Sequence, residues 1–364
     1  MSFRAEQVGS LLRPAALLAA RSAFADGRLD LPSLRAQEDE AIRDALSRQR
    51  EIGLDVIADG EMRRHSWLTG MADAVDGFIP DSVMLEWHGP GGGAEKTTAR
   101  IVGSRLRKRR MLTADEVPIL KSQAAPFKVT LPAPSNFVPT GFKPGVTDRF
   151  YADRGALLAE LVGIVRDEIA WLIGQGVSYI QLDAPFYSHY LDPQHRAAMK
   201  TAGTDPDAEF RAAVAGDNAS FAGLARAGVT IAVHICRGNS RSRWYTEGGY
   251  DAIAEKLFSQ LDVDRFLLEY DTERSGGFEP LRLVPDGKDV VLGLITTKEP
   301  TLEREDDVRR RIDQAARYMP LEHLALSPQC GFASIAAGNL LSMDDQWRKL
   351  ALVASTARKV WGSQ

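Results

Sequence analysis

The sequence predicts an α/β barrel of eight strands and eight helices, on three observations. First, short runs rich in apolar and β-branched residues recur along the 364-residue chain, at 5–10, 54–60, 127–132, 178–183, 229–236, 265–270, 290–296 and 324–327. Most are apolar throughout rather than alternating, as in parallel strands buried on both faces. Second, the segments between them are amphipathic at helical spacing. Third, no internal repeat or linker divides the chain, so residues 1–364 read as one domain, a length that barrels often reach. Eight strand–helix alternations are the pattern of a TIM-type (β/α)8 barrel.

Taken in order, residues 34–49 carry Ile42, Ala45 and Leu46 on one face among Glu, Asp and Arg, and Gly53 stops that helix. After the second strand the spacing breaks. Residues 61–126 form a long insertion with Trp67, Trp87, His88 and the tract Gly89-Pro90-Gly91-Gly92-Gly93. It is expected to pass over the C-terminal face, where such loops shape substrate pockets, with the Gly/Pro tract a disordered surface loop. Residues 156–173 repeat Leu157, Leu158, Leu161, Val165, Ile169 and Leu172 at helical spacing, ended by Gly174 and Gly176. Residues 304–318 make another helix, heavily charged on its outer side.

A hydrophobic share of 44% and a charged share of 26% are ordinary for a chain that buries a core, and a net charge of −4 gives no reason to expect nucleic acid or membrane partners. The stretch Arg105-Leu106-Arg107-Lys108-Arg109-Arg110 reads as a solvated face rather than an anion site. No uncharged run approaches the ~18 residues of a membrane span. The N-terminus has no secretory pattern, so the expected location is cytoplasmic, where the two cysteines stay reduced. No glycine-rich phosphate loop stands in a strand–helix setting, so no nucleotide cofactor is expected. The oligomeric state is not legible.

Both cysteines close apolar runs. His234-Ile235-Cys236 ends the fifth predicted strand, Glu269 stands at the end of the sixth, and Cys330-Gly331 follows the eighth. A His and a Cys two apart on a strand point to the same side. One imidazole, one carboxylate and two thiolates make a tetrahedral Zn2+ set. Singly, Cys236 reads as a small buried hydrophobe and His234 as a hydrogen-bonded core imidazole. Convergence of three strand ends on the face where barrels do chemistry favours the metal. An ion so rich in thiolate holds an incoming thiol as its thiolate better than it activates water, so thiol alkylation fits better than hydrolysis.

These motifs, in this order, resemble the catalytic C-terminal half of cobalamin-independent methionine synthase. Val8-Gly9-Ser10 is similar to that family's Ile-Gly-Ser, and Gly53-Leu54-Asp55-Val56 through Asp59-Gly60-Glu61 to its Gly-Leu-Asp-Val and His-Gly-Glu. Ile180-Gln181-Leu182-Asp183 is similar to Ile-Gln-Ile-Asp, and HICRGN, LLEYD, ERSGGFEPL and LSPQCGFAS resemble the short, single-barrel branch. The resemblance implies zinc-dependent methyl transfer to homocysteine from a methylated folate or another methyl donor. It also implies that Ser10, Glu61 and Asp183 hold homocysteine, the acids taking its ammonium and Ser10 with nearby N–H groups its carboxylate. The plainer reading pairs Glu61 and Asp183 with Arg63, Arg64 or another buried cation.

The chain departs from the family pattern in three places. Asp183-Ala184-Pro185 replaces Asp-Glu-Pro, and Leu131-Pro132-Ala133-Pro134-Ser135-Asn136 replaces Gly-Pro-Val-Thr, with no tryptophan following to stack a pterin. Ile295-Thr296-Thr297-Lys298-Glu299-Pro300 replaces Tyr-Asp-x-His-Ser-Pro. Lys298 thus takes the place of a histidine that the resemblance implies in proton delivery to the departing folate nitrogen. It is expected to donate a proton, to bind an anion, or to pair with Glu299 or Glu269. Asp183 and Lys298 are therefore the catalytic candidates. The thiol side looks kept and the donor side rebuilt.

Two other readings stand beside this one. An epoxide-opening thioether synthase, like epoxyalkane:coenzyme M transferase, would use Lys298 or Arg237 against a sulfonate. A zinc- or thiol-binding protein without turnover would keep the site alone. His65, His88, His189, His195 and His323 read as surface or hydrogen-bonded residues, and Phe186, Tyr187, Tyr190, Trp244 and Tyr245 as pocket lining or core.

Overall fold

The computed structural model describes residues 3–362. Its strands, numbered in chain order, fall in two sheets. β1 (Val75–Trp87) and β2 (Gly93–Lys108) form an antiparallel hairpin. β3 (Val129–Pro132), β4 (Tyr179–Asp183), β5 (Thr230–Ile235), β6 (Arg265–Glu269), β7 (Asp289–Ile295) and β8 (Leu324–Pro328) form a parallel sheet in that order. Apart from the first residues of β5 and β7, every position in these six strands is buried, as their unbroken apolar runs predict.

The first two predicted strands are reduced to isolated bridges. Ala5 bridges Leu326, Glu6 bridges Val56, and Ile57 bridges Phe127, all parallel. Glu6 N–H donates to Leu326 O at 3.1 Å and Lys128 N–H to Ile57 O at 2.9 Å, so these segments join β8 back to β3 and close the circle. Inside, Val8, Val56, Tyr179, Ala232, Leu267, Val291 and Ala325 form an apolar layer. Next to it lies a fully buried ion cluster: Glu6 accepts from Lys128 Nζ at 2.7 Å and Tyr179 OH at 2.9 Å, with Arg265 Nε at 3.1 Å. Its mutual pairing is what makes burial of these charges tolerable.

The three predicted helices appear as Leu31–Ile52, Arg154–Gly174 and Glu305–Ala315. The first is longer than its apolar stripe because Asp30 caps it, accepting from Ser33 N–H at 2.8 Å, and because Gly53 ends it at φ +86°. No helix among the described residues is long and apolar enough to cross a membrane.

The insertion corrects one expectation. The Gly/Pro tract is not a disordered loop; it turns the β1–β2 hairpin and seats its tip on the loop after β5. His88 and Trp244 exchange backbone hydrogen bonds of 2.7 and 3.2 Å, and Trp87 packs edge-on against Tyr245 at 5.7 Å. Gly89 has φ +94°, and a Cβ there would fall 2.4 Å from the Trp244 ring, so only glycine fits this contact. The basic stretch lies along β2 and beyond it as a solvated face: Lys108 pairs with Asp167 at 2.7 Å and Arg109 with Asp76 at 3.0 Å.

Candidate metal centre

His234 stands near the end of β5, Cys236 just past it, and Cys330 just past β8. Their ligand atoms all lie within 4.8 Å of one another, and all three residues are buried. The sulfurs are 3.6 Å apart and both cysteines are free. Neither imidazole nitrogen of His234 has a hydrogen-bond partner, although both are buried. Leaving buried polar atoms unpaired costs roughly 1–3 kcal/mol each, so the plain reading of a satisfied core histidine does not hold. The hydrogen bond between the two sulfurs and the neighbouring imidazole hold the Cys330 thiol well below its ordinary range, while the same bond pushes Cys236 well above it. Two sulfurs and an unpartnered imidazole fit a thiophilic ion such as zinc.

Glu269, the last residue of β6, is outside this trio. Its Oε2 accepts from Arg237 N–H at 2.8 Å and its Oε1 from Arg274 Nε at 2.8 Å, while Arg274 Nη2 also grips Asp271 at 2.7 and 2.8 Å. Burial opposes ionisation of Glu269, but Arg274, Lys298 and Arg237 outweigh it and keep the carboxyl below its ordinary range. Lys298 pairs with neither Glu299 nor Glu269. Its Nζ donates to Gly238 O at 2.7 Å and Asn239 Oδ1 at 3.2 Å, and burial lowers its pKa. Asn239 Nδ2 in turn donates to Thr297 Oγ1 at 3.0 Å and Gly331 O at 2.8 Å, which ties the loops after β5, β7 and β8 together.

Val8-Gly9-Ser10 runs between this centre and a group of buried acids. A Cβ on Gly9 would lie 2.8 Å from Glu61 Oε1, and one on Gly331 would lie 2.0 Å from Ser10 Oγ. Glu61 adopts φ +55° with its N–H donating to Asp59 Oδ1 at 3.0 Å, and its Oε1 accepts from Thr130 Oγ1 at 3.1 Å. Asp183 ends β4, in register with His234, and accepts from Gln181 Nε2 at 2.7 Å. Burial pushes Asp183 up to about 7, and burial together with Glu116 does the same to Asp59. Asp59 Oδ2, Glu61 Oε2 and Gln181 Oε1 are buried acceptors with no donor.

The alternative of simple ion pairing is met only in part. Arg63 turns away to Glu38 at 3.0 Å and to Asp39. Arg64 comes within 3.7 Å of Glu61 Oε1, but its short hydrogen bonds go to Glu116, at 2.9 and 2.8 Å, and to Thr130. Glu116 lies late in the insertion and was not singled out from the sequence, because spacing along the chain says nothing of a partner 52 residues away.

Residues 3–342 match the family model of the cobalamin-independent synthase catalytic domain. The chain belongs to that family. An uncharacterized Bacillus subtilis protein, YxjH, is 38% identical over 99% of this chain and 95% of its own length. The methionine synthase of Pyrococcus abyssi is 24% identical over 80% of the chain and 76% of its own length. Among solved structures, a putative vitamin-B12 independent methionine synthase from Listeria monocytogenes aligns with TM-score 0.77 at 27% identity, covering 99% of this chain and 98% of that one. A B12-independent methionine synthase from Shewanella, solved in complex with selenomethionine, shares the fold with TM-score 0.75 at 20% identity, over 99% and 98% of the two chains. This is a methionine synthase-like methyltransferase family, and the barrel expected from the sequence is its fold.

In this cobalamin-independent synthase family member the other ring candidates pack mainly on one another. His189 and His195 stack on each other at 4.6 Å, and His189 packs against Tyr245 at 5.3 Å. Burial drives His189 down to about 3, so it is neutral at ordinary pH. Tyr187 and Tyr190 pack on Phe210 in the core, and His323 bonds Asp289 at 3.0 Å.

Proposed function

We propose that the chain is a zinc-dependent thiol S-methyltransferase whose acceptor is homocysteine. The supporting observation is the orphaned, buried imidazole of His234 beside two cysteine sulfurs, in register with an acid near further unpaired buried acceptors. His234, Cys236 and Cys330 would hold the ion, with Glu269 as the carboxylate ligand. Zinc bound there supplies the Lewis acidity that keeps an incoming thiol deprotonated at neutral pH.

The chain's own residues frame the acceptor. Glu61, through its free Oε2, and Asp183 receive the α-ammonium, and Ser10 with adjacent N–H groups receives the carboxylate. Fixing both ends of an amino acid leaves its thiol one direction to point, and that alignment is the main source of rate. Lys298 spends two hydrogen bonds on Gly238 and Asn239, and its remaining N–H is the proton available to the departing donor group. The donor is a methylated folate or another methyl carrier. A sulfonate thiol would meet the same acids as a repelled anion, so the epoxide-opening reading draws no support from this pocket.

The test is zinc content of the purified protein, then its zinc X-ray absorption edge with and without homocysteine. One zinc per chain that gains a sulfur neighbour is the expected result. Absence of zinc overturns the proposal, and zinc unchanged by homocysteine excludes it as the acceptor.

A further inference from the structure

Arg64 presents a problem for the acceptor site. It is a buried guanidinium 3.7 Å from Glu61 Oε1, and a free arginine there would close on the carboxylate in a two-pronged pair. Glu61 would then have nothing left for an ammonium. The structure holds Arg64 elsewhere. Its Nε and Nη2 donate to the two oxygens of Glu116 at 2.9 and 2.8 Å, and Nη1 and Nη2 donate to Thr130 Oγ1 at 2.9 Å and Thr130 O at 2.8 Å. Every nitrogen of the guanidinium is thereby engaged, and none bonds Glu61. Glu116 is itself only 5% exposed, so water does not compete for the pair. What remains to Glu61 is one bond from Thr130 Oγ1 at 3.1 Å and an unpaired, buried Oε2.

We propose that Glu116 is a positioning residue for the substrate ammonium: by occupying Arg64 it keeps Glu61 Oε2 open for the cation. The inference rests on the amino-thiol reading above. It assigns to the late part of the insertion a role in telling amino thiols from thiols without an amino group.

The test compares binding of homocysteine and of its des-amino analogue, 4-sulfanylbutanoate, to the zinc-loaded protein by titration calorimetry. Glu116→Gln frees Arg64 to turn onto Glu61. The preference for homocysteine is expected to fall roughly tenfold or more, while affinity for the analogue and zinc content stay unchanged. The double variant Glu116→Gln/Arg64→Met removes the competitor as well and is expected to restore the preference, which a merely structural role of Glu116 would not produce. Should the single variant not fold, the double variant decides: parental preference supports the assignment and its loss overturns it. Parental protein that binds both thiols equally overturns the amino-thiol reading. Parental protein that discriminates, with Glu116→Gln discriminating as well, overturns only the role of Glu116.

Discussion

Gly331 and Ser10 are in backbone contact: a Cβ added to Gly331 would lie 2.0 Å from Ser10 Oγ and 3.1 Å from both Ser10 N and Ser10 O. Because Cys330 immediately precedes Gly331, this contact couples a thiolate of the proposed metal set to the segment proposed to bind the substrate carboxylate. Gly331→Ala is expected to weaken zinc retention and homocysteine binding together, each by about tenfold, with the fold intact. Chelator competition and calorimetry on one preparation measure both. A variant in which only one of the two changes would show that the segments act independently.

Cys330→Ser removes the more acidic of the two thiols. Zinc content and methyl transfer are expected to fall together, by more than the roughly 10–100-fold that outer partners of a metal site carry. Full activity in a zinc-free variant would sink the mechanism.

Gly89→Ala strains a φ of +94° and drives a methyl into Trp244. The cost, of order 1–3 kcal/mol, falls on the docked hairpin tip rather than on the barrel. Limited proteolysis is expected to nick the variant between β1 and β2 at protease levels that spare the parent, while the main thermal transition stays within a few degrees. A lowered main transition with no new nick would place the tip inside the cooperative core.

Asp59 carries its carboxyl at about 7 in the folded chain against an ordinary 3.8. The folded state therefore binds the extra proton, and the group's contribution to stability is greatest below 3.8, falls as pH rises to about 7, and is flat above that. Asp59→Asn removes this slope. Variant minus parent stability is expected to grow by roughly 1 kcal/mol or more per pH unit across the window, read from urea midpoints at pH 4, 5.5, 7 and 8. A constant difference at all four values would contradict the buried-acid assignment.

The cluster of His234, Cys236 and Cys330 was legible because chemistry-bearing residues end unbroken apolar runs, and in a parallel barrel the ends of such runs share one face. His234, Cys236 and Cys330 follow from that alone. Glu269 likewise ends its strand as expected, but that Arg274 and the Arg237 N–H each engage one of its oxygens is seen only in the fold. The hairpin was illegible for a different reason. β1 contains Gly77 and Pro80 and buries fully only its two end residues, so no clean alternation marks it, and its anchor at Trp244 lies far along the chain. For Lys298 the sequence left open proton donation, anion binding or pairing with Glu299 or Glu269, because its actual partners, Gly238 O and the Asn239 Oδ1, carry no charge that a pattern could reveal.

The uneven closure of the barrel divides its working parts. His234, Cys236, Glu269 and Cys330 hang from the continuous ladder of β5 to β8, whereas Ser10 and Glu61 follow segments stitched in by one bridge on each side. Amides at residues 5–6 and 56–57 should therefore trade their hydrogens for deuterium well before those of β5 to β8. Occupation of the site by an amino thiol should slow the first group and leave the second untouched. The ion would thus be carried on the stiffer arc of the ring, and an amino thiol would be gripped across the seam where that arc meets its thinly bridged part.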